Sequence, residues 1–143
     1  MNTSNEILHA YLQVSRHITE KFRIYYGKLN LTYPQSIVLA ILEADGPMPI
    51  SALAEAAGSA NSTISGVVDR LEKMNLVQRI RSDTDRRVIY VSTTEHFQAH
   101  FARFKETACD RFSAALSGLS PEDAQTVARG LTLLNQALEH EAL

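Results

Sequence analysis

The hydrophobic period changes abruptly between residues 61 and 93, and this change limits most strongly which folds the chain can adopt. The segment "NSTISGVVDRLEKMN" repeats its apolar residues every three to four positions, which is typical of an amphipathic helix. It is followed by "LVQRIR" and "RVIYVST", two short runs rich in Val and Ile that the turn formers "SDTD" separate. Two such strands are too few for an independent sheet, so we expect a β-hairpin that packs against helices.

Three helices are predicted on the N-terminal side of this segment. Thr3 and Thr32 each begin the residue pattern of a capping box, which places a helix start at both positions. Gly27 and Gly46 are expected to follow the ends of these two helices. A third and shorter helix, "ISALAEAAG", is expected to stop at Gly58.

The C-terminal third of the chain is also predicted to be helical. One long helix begins at Glu95, and its apolar face holds Phe97, Phe101, Phe104, Ala108, Phe112 and Ala115. The last helix begins after Ser120, and its apolar residues alternate between spacings of three and four: Ala124, Val127, Leu131, Leu134 and Leu138. This alternation is typical of coiled coils.

The first helix and the last two helices each keep an apolar stripe along their whole length. Stripes of this length are difficult to bury within one short chain. We therefore expect a symmetric homodimer whose interface is built from both chain ends. The alternative is a monomeric bundle in which the chain ends pack on each other.

Small polar residues form the outward face of the helix that begins near residue 61. Together with the preceding short helix and its glycine-containing turn, this helix has the layout of a helix-turn-helix. A recognition helix presents small donors and acceptors to base edges in the major groove, which is about 12 Å wide. The candidate groove residues are Asn61, Ser62, Thr63, Ser65 and Gly66, and the candidate phosphate-binding residues are Arg70 and Lys73. Taken alone, the helix also fits an ordinary amphipathic surface helix.

Basic charge is concentrated in and around the hairpin. Residues 69–94 contain six Lys/Arg and four Asp/Glu, whereas the whole chain has a formal net charge of -2. Such a run is usually a solvated hairpin tip, but directly after a recognition helix it predicts a wing whose arginines reach the minor groove or the DNA backbone. We expect Asp85 to orient Arg87 by a bidentate hydrogen bond and Asp83 to shape the turn. Arg86 is a candidate DNA contact, and the alternative for its side chain is exposure to solvent.

The segment "LEKMNLVQRIRSDTDRRVIYVSTTE" resembles the MarR (multiple-antibiotic-resistance regulator) family of winged helix-turn-helix transcription factors. It has that family's Leu-Glu, turn, Leu-Val-x-Arg, and an Asp-Arg-Arg wing that ends in a Thr-containing strand. By position, Asp85 and Arg87 match the acid and the arginine of the wing, with Arg86 between them. Arg79 matches the arginine that begins the wing, where we expect it to meet the DNA backbone, and residues 62–70 match the recognition helix.

The resemblance covers nearly the whole chain and implies a mostly α fold with a small β-hairpin wing. It implies one MarR-type domain over residues 1–143, with the winged helix-turn-helix in 31–94 and dimerisation helices in 1–30 and 95–143. The implied function is that of a sequence-specific transcriptional regulator, a ligand-responsive repressor that binds a pseudo-palindromic operator in double-stranded DNA as a homodimer. The alternative function is a helical, dimeric protein-interaction module that uses the same hairpin on an acidic partner.

Three residues depart from the family pattern. Asn75 stands where the family usually has Gly before Leu-Val, and Asn tolerates the left-handed conformation that this position requires. Gly66 occupies a position of the recognition helix that often carries a larger polar or basic side chain, so the operator preference is expected to differ. His96 replaces the usual Gly after the wing, which is expected to make the entry to the next helix more rigid.

A small-molecule effector is a further implication of the resemblance, because family members often bind a small aromatic or phenolic acid between the dimer base and the winged domain. By position, the residues of that crevice are Tyr11, Arg16, His17 and Tyr33, with Arg16 pairing the carboxylate of the ligand. The alternative for each of the four is a packed or solvated residue without a ligand.

Other kinds of chemistry are not indicated by the sequence. His96 and His100 are spaced for zinc, but two ligands make no site, and Cys109 is expected to be an inert small hydrophobe. No nucleophile elbow, phosphate loop or metal motif occurs, so we expect neither an enzyme nor a cofactor. The lone cysteine and the absence of a signal peptide or an apolar run of membrane-spanning length predict a cytoplasmic protein without membrane contact.

Overall fold

Helices account for most of the computed structural model, which describes residues 2–101 and 107–141. The helices are α1 (Thr3–Tyr26), α2 (Tyr33–Asp45), α3 (Ile50–Ala57), α4 (Asn61–Lys73), α5 (Glu95–Phe101), α6 (Ala108–Leu116) and α7 (Pro121–Glu139), with a short 3-10 turn (Gly27–Leu29) after α1. The strands are β1 (Met48–Pro49), β2 (Val77–Arg81) and β3 (Ile89–Thr93). The predicted fold class, mostly α with a small β-hairpin wing, is confirmed.

The helix starts follow local capping chemistry. The predicted capping box at Thr32 is confirmed, because Thr32 Oγ1 accepts from the Gln35 N–H at 3.4 Å and Gln35 Oε1 accepts from the Thr32 N–H at 3.0 Å. The predicted capping box at Thr3 is wrong. Helix α1 is capped one residue earlier by Asn2, whose Oδ1 accepts from the Asn5 N–H at 2.9 Å, and Asn is among the best N-cap residues.

The sheet contains one strand more than the sequence predicts. β3 lies in the centre and pairs antiparallel with both β2 and β1, so that Val91 has Arg79 on one side and Met48 on the other. The expectation of only two strands is therefore wrong. A strand of two residues has no period to detect, and its Pro49 is tolerated because β1 lies at an edge of the sheet.

The described chain divides into two compact units, which meet in sequence between Cys109 and Asp110. The core of the first unit combines apolar side chains from α1 to α5 and from β2 and β3, and its fully buried members include Leu39, Leu53, Val68, Leu71 and Val91. The predicted inner face of α4 is confirmed, with Val67 half-buried and its other apolar members buried.

The second unit contains most of α6 and all of α7. Ser120 caps α7 as predicted, since its Oγ accepts from the Asp123 N–H at 3.0 Å. The prediction of one unbroken helix from Glu95 to Ala115 is wrong, because Thr107 is not helical and Thr favours caps and turns over helix interiors. Residues 102–106, which include Phe104 of the predicted stripe, lie outside the described residues. Within the described residues, no helix is both long and apolar enough to cross a membrane.

The junction between α4, β2 and α5 is fixed by one threonine. Asn75 has the predicted left-handed backbone, with φ of 60°, and turns the chain from α4 into the sheet. The hydroxyl of Thr94, just after β3, donates to the Asn75 carbonyl at 2.7 Å and accepts from the Phe97 N–H at 3.1 Å. The Thr94 N–H donates to the Leu76 carbonyl at 3.1 Å. Thr94 thereby joins the end of the wing to the end of α4 and the start of α5.

Replacing Thr94 tests this junction. Thr94→Val keeps the side-chain shape but leaves the buried Phe97 N–H without its acceptor, so we expect the free energy of unfolding to fall by about 1–3 kcal/mol. The measurement is urea denaturation at matched protein concentration, so that any association between copies affects both variants equally. The control is Thr126→Val, which removes a solvent-exposed hydroxyl bond and is expected to change stability by less than about 0.5 kcal/mol. Equal losses in the two variants would contradict the prediction.

Candidate nucleic-acid interface

The outer face of α4 is exposed and carries small polar groups. Asn61, Ser62, Thr63 and Gly66 are exposed, and Ser65 is half-buried. The N-cap residue is Ala60, which has no side-chain oxygen, so the first N–H groups of the helix are not capped by its own side chain. The exposed start of α4 can therefore offer backbone donors as well as hydroxyl and amide groups to an anionic partner.

Gly66 has no steric reason to be glycine in the free chain. A Cβ atom built at this position would meet nothing within 4 Å. Glycine in the middle of a helix costs roughly 0.5–1 kcal/mol relative to alanine. Glycine at this position therefore lowers the stability of α4 without relieving a clash. It also leaves the helix backbone bare on the outward face, which favours close approach of another molecule there.

The positive charges of α4 lie toward its C-terminal end. Arg70 and Lys73 are exposed in its last turn. Both lie one to two turns beyond the small polar residues of the first turns, at the positions predicted to meet phosphates at the edge of a groove. Contact of these side chains with DNA stays a prediction.

Asp85 and Arg87 form the predicted pair at the wing tip. Asp85 Oδ1 accepts from the Arg87 N–H and Nε–H, both at 3.1 Å, and Asp85 Oδ2 accepts from Arg87 Nη2 at 3.2 Å. The Arg87 side chain is nevertheless 90% exposed. Hydrogen bonds from the Arg87 side chain, followed by the bond from its backbone, lower the pKa of the Asp85 carboxyl. The pairing is confirmed, and the contact of Arg87 with DNA stays a prediction.

The turn of the wing is organised by a serine that the sequence analysis did not single out. Ser82 Oγ accepts from the backbone N–H groups of Thr84 at 3.3 Å and Asp85 at 3.2 Å. Asp83, which was expected to shape the turn, is exposed. Arg81 also contributes, since its guanidinium donates to the carbonyl of Arg86 across the hairpin. The detectable signal was a serine two and three residues before the groups it binds, a common local turn pattern.

Arg79 lies away from the wing tip, in the middle of β2. Its Nη2 is 2.8 Å from Asp69 Oδ1 and its Nη1 is 3.0 Å from Glu72 Oε1, both on α4. Its side chain is 26% exposed, in contrast to Arg87. The predicted backbone-contacting arginine is thus engaged with two carboxylates that the sequence analysis did not connect with it.

The four predicted effector residues lie at the surface of the chain. Tyr11 and Tyr33 are partly exposed, and Arg16 and His17 are exposed. Partial burial raises the pKa of Tyr33, and the electrostatic effect of Tyr11 adds to the rise. Their role in binding an effector stays a prediction.

A cavity of about 630 Å³ occurs elsewhere in the first unit. Its lining comes from the end of α2, the base of the wing and α5, and includes Leu42, Glu43, Gly46, Pro47, Gln78, Ser92, Thr93, Glu95, Phe97, Gln98, Phe101 and Thr107. None of the four predicted effector residues is among them. Several polar groups of the lining bind each other: Gln78 Nε2 donates to Ser92 Oγ at 3.4 Å, and Gln98 Nε2 donates to Thr93 Oγ1 at 3.1 Å.

The histidines and the cysteine show no metal geometry in the part of the chain that the structure describes. His96 and His100 are exposed, and no group of three or more His, Cys, Asp or Glu among the described residues is arranged to hold a metal ion. Cys109 is half-buried against the core, with its Sγ 3.6 Å from the carbonyl of Ala40. This packing agrees with the expected role of a small hydrophobe.

Comparisons with known proteins agree on one family. The model of the MarR family matches residues 31–89. The HTH-type transcriptional regulator YfiV of Bacillus subtilis is 38% identical over 113 residues, covering 79% of this chain and 71% of the relative. The organic hydroperoxide resistance transcriptional regulator of Bacillus subtilis is 27% identical over 139 residues, covering 97% and 91%. The structure of NMB1585, a MarR family regulator from Neisseria meningitidis, has a TM-score of 0.74 at 21% identity and covers 97% and 95%, a likeness of fold.

The lowered pKa of Asp85 gives a test of the wing-tip geometry. A lowered carboxyl pKa keeps Asp85 ionised, and paired with Arg87, while the pH falls through the ordinary Asp value of 3.8; the pair is lost only at still lower pH. We expect the NMR signal of the Arg87 Nε–H to stay protected from exchange until that lower pH. In the control, Asp85→Asn, the protection is expected to be reduced throughout the pH range in which the wild-type Asp85 stays ionised. Loss of protection at or above the ordinary Asp value would contradict the geometry.

Proposed function

The chain belongs to the MarR family of DNA-binding transcriptional regulators, and we propose that it acts as a homodimeric, effector-responsive repressor that binds a pseudo-palindromic operator. The observation that carries this proposal is the combination of an exposed, small polar face on α4 with an exposed arginine at the tip of the adjoining wing. Each part alone fits a surface helix or a solvated hairpin, but together they match the two contacts that a winged helix makes with duplex DNA.

The first half of α4 is the part that enters the major groove in this proposal. Asn61, Ser62, Thr63 and Ser65 contact base edges there, and the bare backbone at Gly66 permits close approach. The second half of α4 remains near the groove edge, where Arg70 and Lys73 bind phosphates. Arg87 reaches the adjacent minor groove, in which the negative potential is strongest, and Arg86 meets the backbone.

A second copy of the chain is proposed to cover the apolar stripes at the chain ends. The first half of α1 exposes five large apolar side chains by about half: Ile7, Leu8, Tyr11, Leu12 and Val14. On α7, no described residue is buried, and Val127, Leu131 and Leu138 are exposed. Apolar surface of this extent is uncommon on a monomer and marks an interaction site. A two-fold dimer would bury such stripes and present two copies of α4 to one duplex.

The proposed effector is a small aromatic or phenolic acid. Arg16 supplies a cation for its carboxylate, while Tyr11 and Tyr33 supply neighbouring aromatic surface, with His17 beside Arg16 in sequence. Because Tyr11 belongs to the exposed stripe of α1, the crevice is completed by the second copy. Repression is relieved if the effector binds more tightly to a dimer whose two α4 helices are spaced wrongly for the operator. The effector's binding free energies for the two spacings must then differ by a few kcal/mol.

Selection of duplexes from a random pool tests the proposed function. We expect the bound fraction to yield a two-fold symmetric consensus, with half-sites separated by about one helical turn of DNA or a multiple of it. The symmetry reports the dimer, and the spacing reports the distance between its two α4 helices. If the pool shows no sequence preference at physiological salt, the chain is a protein-interaction module instead and the proposal is wrong.

Substitutions at the wing tip test whether Asp85 acts through Arg87. Arg87→Ala is expected to lower operator affinity about tenfold or more. Asp85→Asn is also expected to lower affinity, although it removes a negative charge near DNA, because Arg87 loses its orientation. The matched control is Asp83→Asn. It removes the same negative charge only two residues before Asp85, but from a side chain that does not belong to the Asp85–Arg87 pair. Affinity measured by fluorescence anisotropy should stay equal or rise for Asp83→Asn; a rise for Asp85→Asn would contradict the role given to Asp85.

A further inference from the structure

Arg79 connects the wing to the recognition helix at three points. Its Nη2 pairs with Asp69 Oδ1 at 2.8 Å, and its Nη1 pairs with Glu72 Oε1 at 3.0 Å. Its backbone N–H donates to Glu72 Oε2 at 3.3 Å, so both oxygens of that carboxylate are bound by one residue. Two ends of a planar guanidinium that engage two separate carboxylates define one orientation between β2 and α4.

We propose that Arg79 is a positioning residue, which locks the wing onto α4 and neutralises acidic groups there, and that it does not bind DNA phosphate. This inference rests on the DNA-binding function proposed above. It replaces the role expected from the sequence, in which Arg79 meets the DNA backbone directly.

The charge of α4 explains why such a residue is needed. Asp69 lies seven residues after Ser62 and three after Gly66, and therefore shares their outward face. An unneutralised carboxylate on that face repels the phosphates of a bound duplex, and Glu72 adds a second one. Arg79 supplies the compensating positive charge from the neighbouring strand. Its loss raises the local net charge of the three residues from -1 to -2 at the surface that meets DNA.

The burial of Arg79 separates it from the arginines that are available to DNA. Its side chain is only about a quarter exposed, while the Arg87 side chain at the wing tip is almost fully exposed. To reach a phosphate, Arg79 would have to break both ion pairs and leave two carboxylates behind. A single exposed ion pair contributes little, but here the acceptors lie on a helix whose inner face is buried, so little ordering is required.

The lock continues along the hairpin to the tip. Arg79 is opposite the buried Val91 in β3, the central strand, so β2 cannot shift along α4 without shifting the sheet. Two residues later, the guanidinium of Arg81 holds the carbonyl of Arg86 at the tip. The position of Arg87 relative to α4 is therefore set by Arg79 in the middle of β2 and by Arg81 at the end of β2 next to the tip.

Substitution of Arg79 distinguishes a positioning role from direct binding of DNA phosphate. Arg79→Gln is expected to lower operator affinity about tenfold. Arg79→Lys keeps the positive charge but is also expected to lower affinity, because an ammonium group cannot bridge two carboxylates with fixed geometry. A direct phosphate contact predicts the opposite for this variant, since Lys binds phosphate as a point charge. Full affinity of Arg79→Lys would therefore overturn the proposal.

A mutant cycle supplies the second test. In a chain with Asp69→Asn and Glu72→Gln, the additional change Arg79→Gln is expected to alter operator affinity less than about twofold, because the charges that Arg79 neutralises are gone. A tenfold loss in that background would mean that Arg79 itself binds DNA, and would overturn the proposal.

Amide hydrogen exchange of the free protein distinguishes failure of the lock from failure of the proposed function. Arg79→Gln is expected to accelerate exchange at Thr84 and Val88 in the wing, with the amides of α2 unchanged as an internal control. Unchanged exchange in the wing would overturn the lock, whether or not the protein binds DNA. Accelerated exchange, in a protein that shows no sequence preference for DNA, would support the lock and overturn the proposed function.

Discussion

The burial of the inner face of α4 is the constraint on which the rest of the candidate interface depends. Ile64, Val68 and Leu71 are buried against the core, and each such side chain contributes roughly 1.5–3 kcal/mol when it is removed from water. The helix cannot rotate about its axis without exposing them. Its opposite face is therefore fixed toward solvent, and the packing of the inner face presents Ser62 and Gly66 outward.

Arginine has two different functions in the wing, and the carboxylates that bind each arginine determine which function it has. Arg87 is held by Asp85 two residues away, an acceptor that moves with it, so the guanidinium is oriented and still exposed. Arg79 is held by acids of a different element, so it joins β2 to α4 and is withdrawn from solvent. The acidic residues among the arginines are thus compatible with DNA binding, because each of the paired acids directs or is neutralised by a cation.

The features that the sequence predicted correctly depend on residues close together in the chain. The inner face of α4, the left-handed Asn75 and the pairing of Asp85 with Arg87 each follow from spacings of a few residues. The features that it missed depend on tertiary neighbours. Strand β1 is a strand only because β3 lies beside it, and the acceptors of Arg79 lie seven and ten residues earlier on another element. No periodicity or propensity within β1 or β2 contains that information.

The apolar stripe of helix α1 is exposed in its first half and buried in its last turns, and this indicates how binding of the proposed effector would affect the wing. Its first half is exposed, whereas Phe22, Tyr25 and Tyr26 in its last turns are buried. The Tyr26 hydroxyl donates to Glu43 of α2 at 2.8 Å, and the ring of Tyr25 stacks on Phe101 of α5 at 5.8 Å. Because α1 joins the winged part through packed aromatic contacts and a partly buried hydrogen bond, the second copy or the effector proposed above would move α2 when it displaces the first half of α1. From α2 the displacement passes to α4 through a close-packed core, which transmits strain instead of absorbing it.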